Sequence, residues 1–168
     1  MDLIAQYEIP FLHPLLVHFP LVLILLGAGA ATMYLVFGRG VWRQAALVLF
    51  VFGAAGSWAA AETGHDLEQA VEGDPIVEQV VGRHAQGADW TIWLSVASAL
   101  AFGVASVARI RRPQRPAEDG EEEAPVAPRS RREALWGRVL GFVLALLAAS
   151  AVAWTAHLGG IMVWGIAR

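Results

Sequence analysis

The sequence has no cysteine and no lysine. Without cysteine there are no disulfides, iron–sulfur ligation, thiolate zinc sites, covalent c-type haem or thiol catalysis, and the redox compartment cannot be read from thiol usage. Without lysine there is no Schiff-base chemistry, and every basic side chain is an arginine. Charge is sparse as well: 16% of the 168 residues are charged and 57% are hydrophobic, a membrane composition rather than that of a soluble domain. The net charge of −3 averages two oppositely charged surfaces. The cores of the long apolar stretches hold no ionisable residue, which argues against a transporter or pump. Ser57, Ser95, Ser98, Ser106 and Ser150 lie in those stretches without a surrounding motif, which disfavours a hydrolase. The arginine-bearing linker is half acidic and gives no support for nucleic-acid binding.

Four uncharged stretches, 15–37, 44–61, 90–108 and 139–156, are long enough to cross about 30 Å of hydrocarbon as helices. With their interfacial ends the second and fourth spans run over about 42–61 and 135–158. Open sheets cannot satisfy their edges in lipid. The expected fold is therefore all-α, a single integral membrane four-helix bundle. Met1 to Pro10 carries Asp2 and Glu8 and no basic residue, so the first span reads as mature rather than as a cleaved signal.

Ten of the twelve basic residues, from Arg39 and Arg43 to the cluster between Arg109 and Arg138, sit in or beside the first and third connections. The positive-inside rule makes that side cytoplasmic and puts both termini outside. The middle connection is acidic. Trp42 and Trp136 mark the inner interface, and Trp58, Trp90, Trp93 and Trp154 the outer one. The stretch 109–133 holds four prolines and an acidic run, and reads as a disordered cytoplasmic linker whose arginines touch anionic headgroups. Asp74-Pro75 reads as a helix cap followed by proline at the first helical position. The expectation there is a short amphipathic helix on the outer surface, ended by Gly87, with Asp89 capping the third span. No internal repeat stands out.

All five histidines fall at one level. At 1.5 Å rise per residue, His18 lies about 29 Å from Phe37, His157 about 32 Å from Trp136 and His65 about 35 Å from Trp42. His13 is a turn beyond His18, and His84 lies on the amphipathic helix. Pro14 suits a first helical position and Pro20 kinks the helix near its start. Trp58, Glu62 and His65 share one helix face. Glu62 could orient a histidine or serve as a ligand. The run from Gly53 to Gly56 suits close packing of a helix or of a flat cofactor. Gly159-Gly160 looks like a helix stop or a tight approach point.

The phrase HPLLVHFPLVLILL, His13 to Leu26, followed by GHDLEQAV, then His84, then HLGG from His157, resembles the bacterial DUF2231 family. These are small predicted membrane proteins, some joined to Rieske or cytochrome c modules. The resemblance implies the four-span fold, and its redox associations point to haem. Three readings stand open. The first is a b-type haem protein with ligands from His18, His65 and His157, then His13 and His84, carrying electrons at the outer face and exchanging them with quinone or a periplasmic or membrane redox partner. The second is a copper, zinc or iron site built from the same histidines and Glu62. The third is a non-catalytic subunit or assembly factor of a membrane complex, or a homo-oligomer, with structural histidines.

Overall fold

The computed structural model describes residues 13–69, 75–110 and 128–164. All are helical or in tight turns. A single turn α1 (His13–Leu16) leads into α2 (His18–Phe37), followed by α3 (Gly40–Gln69), α4 (Pro75–Ile110) and α5 (Pro128–Trp164). Four stretches, His13–Phe37, Gly40–His65, Glu78–Ala108 and Leu135–Met162, are long and apolar enough to cross a membrane. In the resulting bundle, α2 packs on α3 and α5, and α4 packs on the same two helices, so α2 stands opposite α4.

The break between α1 and α2 has a local cause. Pro20 has no amide hydrogen for the Leu16 carbonyl, and its ring crowds that carbonyl. The chain yields at Val17, while the flanking bonds from Val17 N to His13 O (3.0 Å) and from Leu21 N to Val17 O (3.4 Å) persist. The α2–α3 turn is as tight as a chain allows. Gly38 adopts φ 65° and donates its amide to Tyr34 O, the left-handed ending that favours glycine.

Lipid is as apolar as leucine, so membrane helices associate by close packing and use small residues to approach. Here Ala31, Ala46, Ala145 and Ala148 are at most 1% exposed, and Phe50 and Phe102 are the largest fully buried side chains. Their rings stack at 6.1 Å, with Tyr34 edge-on to Phe102 at 6.3 Å. Gly27 lies under the Phe50 ring, Gly53 under Ile24 and Gly141 under Phe102. Gly56 lies against Phe19 and Pro20, so the smooth face from Gly53 to Gly56 is spent on packing α3 against α2. The outside is apolar: Leu100, Val104, Trp93 and Trp136 are each more than 60% exposed.

Three local expectations are revised. The segment after Pro75 is helical as expected, but it runs without interruption into the third span. Gly87 does not end it. A side chain there would strike Thr155 Oγ1, so Gly87 is a contact point between α4 and α5. Of the two readings of Gly159-Gly160 the stop falls, because α5 continues to Trp164, and the close approach holds at Gly159. Gly159 makes room for the His84 ring. Within the expected linker, 109–110 and 128–133 are helical; 111–127 and the expected cap at Asp74 lie outside the described residues.

Candidate functional site

The histidines gather at one end of the bundle, and two of them meet. The His13 and His84 rings stand edge to plane, with centroids 6.3 Å apart and planes at 74°. Each is tied down by Nδ1. His13 Nδ1 donates to Ala60 O at 2.9 Å, with Thr63 Oγ1 at 3.2 Å. His84 Nδ1 donates to Thr155 O at 2.9 Å. A carbonyl can only accept, so both Nδ1 atoms carry hydrogen, and in the neutral rings both Nε2 atoms keep a free lone pair. A backbone carbonyl on the far nitrogen is the usual way a metal-binding histidine is oriented.

A glycine one turn beyond each acceptor completes the seat. A methyl group on Gly64 would lie 3.1 Å from His13 Cε1, and one on Gly159 would lie 3.3 Å from His84 Cε1. The two seats correspond. The sequence shift that carries Ala60 onto Thr155 also carries Gly64 onto Gly159, Phe50 onto Ala145 and Arg43 onto Arg138. The shift that carries His13 onto His84 carries Ile24 onto Ser95 and Ala31 onto Phe102, all four at most 2% exposed. The bundle is thus two similar hairpins, α1–α3 and α4–α5. Each supplies one histidine to the shared end and one arginine to the opposite end.

The other three histidines stand apart. His18, His65 and His157 are exposed on the outside of the bundle. His18 Nδ1 donates to Pro14 O at 2.6 Å within its own helical turn. His157 lies beside Trp154, with ring centroids 6.0 Å apart. Trp58, Glu62 and His65 do share a face, and it points outward. Among the described residues no group of three or more His, Cys, Asp or Glu side chains is placed to hold a metal ion.

The opposite end is built on arginine. Arg138 lies over the Tyr34 ring, 5.6 Å from its centroid, and its Nη1 approaches Leu35 O at 3.5 Å. Its guanidinium occupies the space that a Gly38 side chain would need. A cation at the carboxyl end of α2 is favourably placed against the helix dipole. Arg43, a flanking charge by its sequence position, is only 6% exposed, and its Nε has no hydrogen-bond partner. Ser57 and Ser95 are also buried with unpartnered hydroxyls. Sequence reading missed Arg43 because a residue one turn inside a helix start looks interfacial until its neighbours are known.

Fold and site together define a class: a helical membrane bundle with a facing histidine pair at one end and arginines at the other. The family model described as "Predicted membrane protein (DUF2231)" matches residues 9–167, and the chain belongs to that family. No curated protein and no solved structure matches it.

Proposed function

We propose that the protein is a b-type haem protein of the bacterial inner membrane, with His13 and His84 as the iron ligands. The observation that carries this reading is the pair itself: two imidazoles anchored through Nδ1, with free Nε2 lone pairs and ring centres 6.3 Å apart. A metal about 2 Å from each of two imidazole nitrogens puts the ring centres about 6 Å apart when the nitrogens oppose each other, a spacing the pair already has and an orientation that the edge-to-plane rings would reach by turning about their Nδ1 anchors. Two histidines suffice for an iron whose other ligands come from a porphyrin, whereas a bare zinc or iron ion asks for further protein ligands. The described residues offer none close to the pair. Bound haem would supply reversible one-electron chemistry. The protein's part is to fix the two rings through Ala60 and Thr155, and to keep Gly64 and Gly159 bare so the rings can lie against their helices.

The arginine end is cytoplasmic in this reading, so the histidine pair lies at the periplasmic face. With no histidine in the other half of the bundle, electrons enter and leave on that face, through membrane quinone or a periplasmic redox partner. The test is an absorption spectrum of protein purified in mild detergent, oxidised and then dithionite-reduced. A Soret band and a sharp reduced α-band are expected, lost in His13→Ala and in His84→Ala. Protein that stays colourless when expressed with added haem overturns the reading, and elemental analysis of that sample tests for copper, zinc or iron instead.

A further inference from the structure

Four polar side chains at the outer ends of the spans stand outside the histidine pair, on opposite sides of the bundle. His18 on α2 and His157 on α5 are exposed, as are Glu62 on α3 and Asp89 on α4. Their depth follows from the contacts between helices. Counting equally outward from the contact of Gly38 with Arg138 reaches His18 on α2 and Leu158, beside His157, on α5. Counting equally outward from the contact of Leu47 with Gly103 reaches Glu62 on α3 and Ala88, beside Asp89, on α4. The contacts of Gly53 with Ile24 and of Gly56 with Pro20 join the two scales, and all four side chains fall within roughly one helical turn of one level.

The direction each side chain faces follows in the same way. Helix α2 meets α3 through Pro20, Ile24 and Gly27, and α5 meets α4 through Gly141, Thr155 and Gly159. His18 with Leu25, and His157 with Leu146, lie on the other flank of each helix, along the α2–α5 seam. Leu25 and Leu146 are 47% and 44% exposed. The opposite seam, between α3 and α4, holds an apolar groove of about 860 Å³ whose walls include Val51 and Val96. Glu62 shares a helix face with Val51, and Asp89 with Val96, so the two carboxylates stand over the outer end of the groove. Neither has a hydrogen bond or ion pair among the described residues. The shifts that relate the hairpins carry His18 onto Asp89, Leu25 onto Val96, Glu62 onto His157 and Val51 onto Leu146. The two seams are thus one surface built twice, with imidazoles on one where the other has carboxylates.

We propose that each seam is covered by a second copy of this chain, docked head to tail, with the α2–α5 seam of one protomer on the α3–α4 seam of the next. The membrane fixes the depth and direction of every copy, so imidazoles and carboxylates of one layer meet whenever these seams do. In this arrangement α2 lies along the neighbour's α3 and α5 along its α4, which sets His18 against Glu62 and His157 against Asp89. Leu25 then falls beside Val51, because both lie within two residues of the Ile24–Gly53 contact. A carboxylate at the edge of the hydrocarbon is costly alone, and an imidazole beside it readily takes up the proton that makes the contact charge-assisted. A symmetric dimer through either seam would oppose like groups. Opposite faces do not close on each other, so the association is a row of protomers in the membrane plane.

The absence of native cysteine makes the test direct. Leu25→Cys and Val51→Cys are introduced together into the full-length chain, which is expressed at low level and oxidised in its own membrane vesicles. Within one chain the two positions lie on the outer flanks of different helices, beyond the roughly 7 Å that a disulfide spans between Cα atoms. Bonds therefore form only between copies, and a ladder of dimers and larger species is expected on a non-reducing gel. A mixture of the two single variants should stop at dimers, and either single variant alone should stay monomeric. His18→Glu should lower the cross-linked fraction by about three- to tenfold, and adding Glu62→His should restore it. A monomer band alone in the paired variant overturns the proposal. Dimers from Val51→Cys alone overturn the head-to-tail arrangement in favour of a symmetric one. Failure of Glu62→His to rescue His18→Glu overturns the pairing of these two residues.

Discussion

His13 and His84 meet edge to plane at 6.3 Å, and each is held from its own hairpin, His13 by Ala60 and His84 by Thr155. Neither ring depends on the other for its orientation. The pair is an arrangement that the packing of the two hairpins creates, with each ring anchored to a carbonyl rather than to the other ring.

The reduced spectrum of a bound haem should therefore be lost in either single variant, His13→Ala or His84→Ala. It should survive in His18→Ala, His65→Ala and His157→Ala, whose side chains face outward. Absorption spectra of the five purified variants check this. Loss in His18→Ala or His157→Ala with retention in His84→Ala would move the site to the outer face of the bundle.

Gly159→Ala puts a methyl group 3.3 Å from His84 Cε1, and Gly64→Ala puts one 3.1 Å from His13 Cε1. Exchanging glycine for alanine inside a helix normally stabilises by about 0.5–1 kcal/mol. That gain should appear in Gly29→Ala and Gly160→Ala, where nothing stands within 4 Å. It should vanish or reverse at Gly64 and Gly159. Adding His84→Ala should restore it at Gly159, a coupling readable as apparent Tm in a double-mutant cycle.

Gly38→Ala should be the most damaging alanine substitution at a glycine. It forces a left-handed backbone on a residue with a side chain, at a cost of about 1–2 kcal/mol, and it displaces the Arg138 guanidinium from Tyr34 and Leu35. Arg138→Ala alone should lower the apparent Tm less. In the Gly38→Ala background it should lower it hardly at all, because the contact is already gone. Strict additivity of the two losses would show that Arg138 is not seated on this turn.

The stacked pair Phe50 and Phe102 carries more of the packing than the larger apolar surface outside. Phe102→Ala should cost about 3–5 kcal/mol. Leu100→Ala, at a residue 64% exposed, should shift the apparent Tm little. Thermal unfolding in detergent, followed by circular dichroism, separates the two.

Ser95→Ala removes a hydroxyl that is fully buried and has no partner. Losing an unsatisfied polar group is neutral or stabilising. Thr91, by contrast, donates to Gly87 O at 2.8 Å within its own helix. A large loss of stability in Ser95→Ala would mean that a buried water or ligand bonds that hydroxyl.

The spans, the bundle and the single level of the histidines could be read from the sequence because each depends on one helix at a time, on its length, its apolar run and its rise. Lateral relationships depend on which helices pack and how they are rotated. That is why His13 and His84, second choices by their sequence context, are the pair that meets, while the more conspicuous His18 and His157 face outward. Glycine misled in the same way. Gly87 looks like a helix ending in a linear reading, and Gly159 like either an ending or an approach point; both are places where a neighbouring side chain needs space. The likeness of the two hairpins was hidden because it resides in burial rather than identity: Ile24 corresponds to Ser95, and Phe50 to Ala145.

The correspondence of the hairpins also says where this chain can grow. The link between α2 and α3 is Gly38 and Arg39, while the equivalent junction between α4 and α5 carries the long acidic and proline-rich stretch. One copy of the motif closes in two residues, so the other needs no more to close. Length added at that junction falls at the arginine end, the far end of the bundle from the histidine pair.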